Sequence, residues 1–247
     1  VIAALIAGAM NSIAGGGTLL TFPALIALGV APLNANATST VALWPGTVGS
    51  LWGYREELRG ARRWVVGFAI PSLIGGAVGA WLLILTPPER FAALVPWLVL
   101  GSTALFVLQR PLVASSAAVA GSDATLTSRQ PAGWIVIGQF LIAIYGGYFG
   151  AGVGILMLAA LGFMGLRNIH RMNGLKNWGG LCMNVVAALV FAFSDLVTWP
   201  VALAMAAGSV LGGYLGSRTA QRVSQDLVRG AVVVIGLVSG VLLYVTR

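Results

Sequence analysis

The chain has 247 residues, 58% of them hydrophobic and only 8% charged, with a mean hydropathy of +0.94. A soluble domain carries about 25% charged residues, so a water-covered surface is excluded and a membrane protein is implied. The net charge of +8 comes from basic residues in short loops between apolar segments; it speaks to membrane orientation and against a nucleic-acid partner.

Ten apolar segments follow one another along the chain, at 1–13, 17–29, 33–54, 64–85 and 90–109, then 132–149, 153–164, 168–194, 197–216 and 227–246. The chain opens at Val1 inside an apolar stretch without an initiator Met, so residues before Val1 are taken as missing and 1–14 is not read as a signal peptide. The second segment of each five is short: about 12 residues rise only ~18 Å, against ~30 Å of hydrocarbon. Each short pair meets at a glycine run, Gly15, Gly16 and Gly17 in the first half and Gly150, Gly152 and Gly154 in the second. Between the fives lies an Ala/Ser/Thr-rich tract with Pro111 and Pro131 at its ends. Residues 1–109 therefore read as a first membrane repeat, 110–131 as a cytoplasmic linker and 132–247 as a second repeat.

Charge sets the orientation. If each short pair enters and returns on one side, the loops at 55–63, 110–131, 165–171 and 218–229 share a compartment with eleven arginines, leaving Arg90 and Arg247 opposite. If each pair makes one broken span, the split is seven against six and the bias vanishes. The positive-inside rule favours the first arrangement. The expected fold is thus an all-α polytopic membrane protein of two inverted-topology halves, each a glycine-broken short helix pair followed by three transmembrane helices. Two parallel halves of four spans stay as the alternative. Paired, Gly/Pro-interrupted segments in matching places are a sequence pointer to a transporter's binding site.

Four runs carry a family resemblance: A-G-G-G-T-L-L-T-F-P-A-L from Ala14, N-A-T-S-T from Asn36, F-G-A-G-V-G-I-L from Phe149 and H-R-M-N-G-L-K-N from His170. Together they resemble the TauE/SafE sulfite exporter family, also called the toluenesulfonate uptake permease family, over essentially the whole chain. The resemblance implies a carrier of sulfur-containing anions such as sulfite, sulfonates or thiosulfate in a bacterial cytoplasmic membrane.

The residues themselves point to an anion. Glycine lets backbone N–H groups approach a ligand, and a helix N-terminus carries roughly half a positive charge. Gly15, Gly16, Gly17, Gly152 and Gly154 are therefore candidate ligand contacts, whereas Gly75, Gly76 and Gly79 read as helix-packing positions. Lys176, the sole lysine, lies about eight residues into the 168–194 segment, ~12 Å deep. No Asp or Glu falls inside an apolar segment, so a substrate anion is its candidate counter-ion; snorkelling to the interface is the competing role. Asn173 and Asn177 share an arc with His170 and Asn184 near Lys176 and offer amide donors. Asn184 reads mostly as a helix-helix contact and His170 as an interface residue. Thr38 and Ser39 are the hydroxyl candidates of the first half; aligning Trp44 with Trp178 puts Ser39 opposite Asn173.

Other classes fit less well. Cys182 and His170 stand about 18 Å apart along one helix, too far to couple as nucleophile and base. The lone Cys182 allows no intrachain disulfide, and neither a metal nor a cofactor is expected. Intramembrane carboxylates, usual in cation carriers, are missing. An anion channel, or a carrier of a carboxylate, stays open, as do a coupling proton or sodium ion and a homo-oligomer. The expected partners are the lipid bilayer and a small anionic solute.

The arginine split yields a topology test. Single cysteines introduced in a Cys182→Ala background should react with an impermeant reagent from outside at residue 247 and not at residue 224. The reverse pattern would overturn the inverted halves.

Overall fold

The computed structural model describes residues 1–13, 16–118, 133–163, 166, 168–219 and 225–245, and among them are ten α-helices and no strand. The first five are α1 (Ile2–Ile13), α2 (Thr18–Ala27), α3 (Pro32–Gly53), α4 (Arg62–Leu85) and α5 (Pro88–Ala118). The second five are α6 (Gly133–Tyr148), α7 (Val153–Phe163), α8 (Ile169–Ala192), α9 (Trp199–Thr219) and α10 (Gln225–Val245). Local chemistry explains the boundaries. Gly29, at φ 83°, closes α2, and Pro32 opens α3, where a missing N–H costs nothing. Asn168 caps α8, its side chain accepting from the N–H groups of His170 and Arg171.

The expected segments and the observed helices agree closely, with one difference at α5. Its helix continues through Pro111 to Ala118, into the tract read as a linker from residue 110. Proline removes only one backbone donor, and the alanine-rich 114–118 stretch favours helix. Residues 119–132 lie outside the described residues.

Among the described residues, α4, α8 and Trp199–Gly216 of α9 are long and apolar enough to cross a membrane. By contrast α2 and α7, with 10 and 11 residues, rise only ~15–17 Å. Large apolar side chains such as Ile70, Trp81, Leu85, Trp97 and Leu203 are well exposed, the surface of a protein whose outer solvent is lipid.

Glycine contacts fix how the helices run. Gly75 abuts the Phe140 carbonyl and Gly79 the Ile144 carbonyl, so α4 and α6 are parallel. Gly208 abuts Val1, Gly212 Leu5 and Gly216 Ala9, so α9 and α1 are parallel in the same manner. Gly76 meets Met183 while Gly179 lies by Ser72, aligning α4 with α8; Gly46 and Ser209 align α3 with α9. Between α3 and α8 the order reverses. Asn34 Nδ2 donates to the Leu196 carbonyl (3.0 Å) and Thr198 N–H to Thr38 Oγ1 (3.0 Å) at one end, while Gly174 lies beside Leu58 at the other. The pairings exchange when the halves are exchanged: α1–α9 with α6–α4, α3–α9 with α8–α4, and α5–α10 and α3–α8 each with itself.

These contacts predict that Gly212→Ala is destabilising. Its Cβ would overlap the Leu5 backbone, and such overpacking costs about 1–3 kcal/mol. The melting temperature of purified protein should drop by roughly 2–4 °C per kcal/mol. Gly101→Ala, where a Cβ meets nothing within 4 Å, should leave it unchanged or slightly raised.

Candidate functional site

The broken pairs bring two helix N-termini to one place. Gly16 and Thr18 at the start of α2, and Gly150, Val153 and Gly154 at the start of α7, line a single cavity of about 60 Å³. A buried water needs about 10–15 Å³ of such space, so the chamber has room for several waters or one small polyatomic solute. Its walls come from the mid-length of the antiparallel α3 and α8, through Thr40, Leu43 and Thr47 on one side and Asn177, Gly180 and Asn184 on the other. Both triplets step by three and then four residues, the spacing of one helix face.

Backbone geometry explains why glycine is required at the turns. Gly16 (φ 98°), Gly150 (φ 77°) and Gly152 (φ 74°) adopt left-handed backbone that other residues rarely take. Side chains then pin each turn. Asn11 Oδ1 accepts from Gly17 N–H at 2.7 Å, holding α2 to α1. The Tyr145 hydroxyl donates to the Ala151 carbonyl at 2.6 Å and lies 2.9 Å from Ser102 Oγ, holding α7 to α6 and α5. Phe22 of α2 and Phe149 before α7 meet edge to face at 5.4 Å, packing the two turns together across the halves.

The cavity is rich in donors. Lys176 is 3% exposed, and its Nζ donates to the Asn11 carbonyl at a long 3.5 Å. No carboxylate pairs with it among the described residues. Asn177 is 5% exposed and its Nδ2 has no partner. Thr40 and Thr47 turn their hydroxyl protons to the Asn36 and Trp44 carbonyls, which leaves the lysine, with its one long bond, and the Asn177 amide among the side-chain donors of the lining.

Of the candidates read from sequence, Gly16, Gly154, Lys176 and Asn177 line this cavity. The others do not. Thr38 accepts from Thr198 N–H, and Ser39 shares a hydrogen bond of 2.6 Å with Thr21 Oγ1, joining α2 to α3. Their hydroxyls are used in helix contacts. Gly17 packs against the Ala7 carbonyl and Gly152 sits beside Ser102 of α5. Asn173 is buried with Oδ1 unpartnered, outside the lining. Gly15 lies outside the described residues. The lining also corrects the register drawn through Trp44 and Trp178: with Thr40 matching Asn177 and Thr47 matching Asn184, Ser39 stands opposite Lys176.

Sequence reasoning did not single out Asn11 or Gly180 and did not choose Thr40 or Asn184 as ligand contacts, yet all four line the cavity. Asn11 carried a signal, being an amide inside an otherwise apolar segment. A second, larger cavity of about 350 Å³ lies between α3, α8 and α9, walled by Trp44, Pro45, Leu189 and Trp199. Its lining is apolar, with nothing to hold a polar solute.

Fold and cavity together define a multi-pass membrane protein with a small polar-lined cavity between broken helices, the build of a transporter. The sequence profile of the sulfite exporter TauE/SafE family matches residues 1–243, and the chain belongs to that family. Similar curated proteins are the probable membrane transporter protein ORF9 of Sinorhizobium sp (28% identical, 96% of this chain and 87% of that one) and the probable membrane transporter protein YfcA of Escherichia coli K12 (28%, 98% and 87%). A probable membrane transporter protein of Haemophilus influenzae is 26% identical over 93% of this chain and 87% of its own length. No solved structure matches the chain.

The turn geometry predicts a stability role for Asn11. Asn11→Ala leaves the buried Gly17 N–H without its acceptor, at a cost of about 1–3 kcal/mol. The apparent melting temperature should fall accordingly, while Asn11→Asp, which keeps an acceptor, should retain most of it.

Proposed function

We propose that this protein is a secondary transporter moving a small sulfur oxyanion or organosulfonate, of the sulfite, sulfonate or thiosulfate class, by alternating access across a bacterial cytoplasmic membrane. The observation that carries the reading is the donor set of the central cavity: Lys176 without a carboxylate partner among the described residues, the unpartnered Asn177 amide and the starts of α2 and α7. An intramembrane cation is costly and usually faces a partner or pathway. Helix N-termini favour negative charge there. A dissolved anion satisfies both.

The sulfur chemistry rests on the family name. The mechanism rests on architecture: residues 1–109 and 132–247 form two membrane repeats, inverted about a pseudo-two-fold axis in the membrane plane. The antiparallel course of α3 and α8 and the exchange of helix pairings between halves support this. Broken helices at such an interface are where carriers bind substrate and rock from one side to the other.

Thermal shift of the purified protein with sulfite, thiosulfate, methanesulfonate and acetate tests the ligand class. A ligand at 100 times its dissociation constant adds about 2.7 kcal/mol of stability. Lys176→Met should fold normally yet bind sulfite about ten- to a hundredfold more weakly, one tenfold per ~1.4 kcal/mol. Lys176→Arg should recover part of the loss, since a planar fork replaces a compact ammonium. Unchanged affinity in the Met variant would sink the assignment. Saturable, trans-stimulated flux in proteoliposomes is the outcome expected of a carrier; single-channel currents would replace it with a pore.

A further inference from the structure

Glycine in mid-helix needs a reason, because it costs stability relative to alanine. In this fold the usual reason is close packing: a Cβ at Gly179 would come within 2.5 Å of Met157 Cε and 3.2 Å of Gln139 Nε2. Gly180, the next residue, has no such reason. A Cβ there meets nothing within 4 Å, and its φ is not left-handed. Several other helical glycines also have open space, among them Gly101, Gly138 and Gly230. Gly180 alone of these lines the central cavity, in the same wall as the unpartnered Asn177 amide. Its counterpart on α3, by the matched spacing of the two walls, is Leu43, which is 5% exposed and fills its position with a side chain.

We propose that Gly180 is the specificity-determining position of the cavity, its bare Cα leaving open the volume that the substrate occupies while Leu43 closes the opposite wall. Together they make the Gly180 wall the roomier side of the cavity and the Leu43 wall the filled one. The inference takes the charge of the ligand from the function proposed above, but the open wall at Gly180 stands on the cavity alone.

Two sets of variants test it. Gly180→Ala and Gly180→Val should melt at or above the wild-type temperature, since neither side chain meets a neighbour at Cβ and both suit a helix better than glycine. Binding should move the other way: the first added methyl costs sulfite affinity about tenfold and the Val variant about a hundredfold or more, the range for misfitting one or two methyl groups. Leu43→Ala should bind benzenesulfonate at least about tenfold more tightly than the wild type does. A fall in the melting temperature of Gly180→Ala would show a packing role and overturn the proposal. So would wild-type sulfite affinity in Gly180→Val.

The second set needs no known ligand. Gly180→Cys in a Cys182→Ala background should react with small methanethiosulfonates about tenfold or more faster than native Cys182, which is buried and outside the lining. The anionic sulfonatoethyl reagent should outpace the cationic trimethylammonium-ethyl one. Reaction without preference for charge keeps the open wall at Gly180 and removes the anion reading. No reaction with either reagent overturns the open wall, whatever the anions do.

Discussion

A helix that ends inside a bilayer leaves backbone N–H groups that lipid cannot satisfy, each at a cost of several kcal/mol. Everything at the centre of this protein answers that constraint. The starts of α2 and α7 meet inside the protein, at a cavity whose other walls are α3 and α8. Asn11 takes up the Gly17 N–H, and Tyr145 with Ser102 holds the second turn. Two helix starts, with their partial positive charge, are thus buried in protein beside the one lysine of the chain.

Such a centre holds only if the short helices cannot drift, and the glycine contacts supply the grip. α1 lies along Gly208, Gly212 and Gly216 of α9, and α6 along Gly75 and Gly79 of α4, at separations that leave no space for a Cβ. In lipid no hydrophobic effect drives helices together, so this close backbone approach carries the association. Each broken pair is thereby clamped by the fourth helix of the other half. The halves cannot be taken apart without undoing the turns that form the cavity, so any rocking of one half against the other reaches the cavity directly.

Legibility in the sequence follows the same physics. The segments were readable because lipid enforces long apolar runs, and the short helices because glycine interrupts them at Gly15–Gly17 and Gly150–Gly154. Lys176 was readable as a lone charge in an apolar run. Thr38 and Ser39 looked equivalent to Thr40, since all three are small hydroxyl residues in one run; only the helix face separates a residue tied to Thr198 or Thr21 from one at the cavity. Register failed for a related reason. Trp44 and Trp178 are matching letters in different settings: Trp178 donates from its indole N–H to the Val65 carbonyl, while Trp44 borders the apolar cavity. Gly180 was hidden because the letter G cannot distinguish a glycine crowded by a neighbour from one facing open space.

The two halves match in backbone and differ in chemistry at the cavity, and electrostatics explains why the difference is needed. The matched register puts Ser39 where Lys176 has its partner position. A second lysine at that point would set two ammonium groups around one small chamber. At ~5 Å and an effective dielectric of about 20 their repulsion is roughly 3 kcal/mol, paid whenever the chamber is empty. A hydroxyl bonded to Thr21 carries no such penalty and ties α2 to α3. Size follows the same division, with Leu43 filling one wall and Gly180 leaving the other open. The helix pairings exchange between the halves, whereas the lone lysine and the open wall at Gly180 belong to the second half alone, so the cavity is asymmetric within a repeated set of helix contacts.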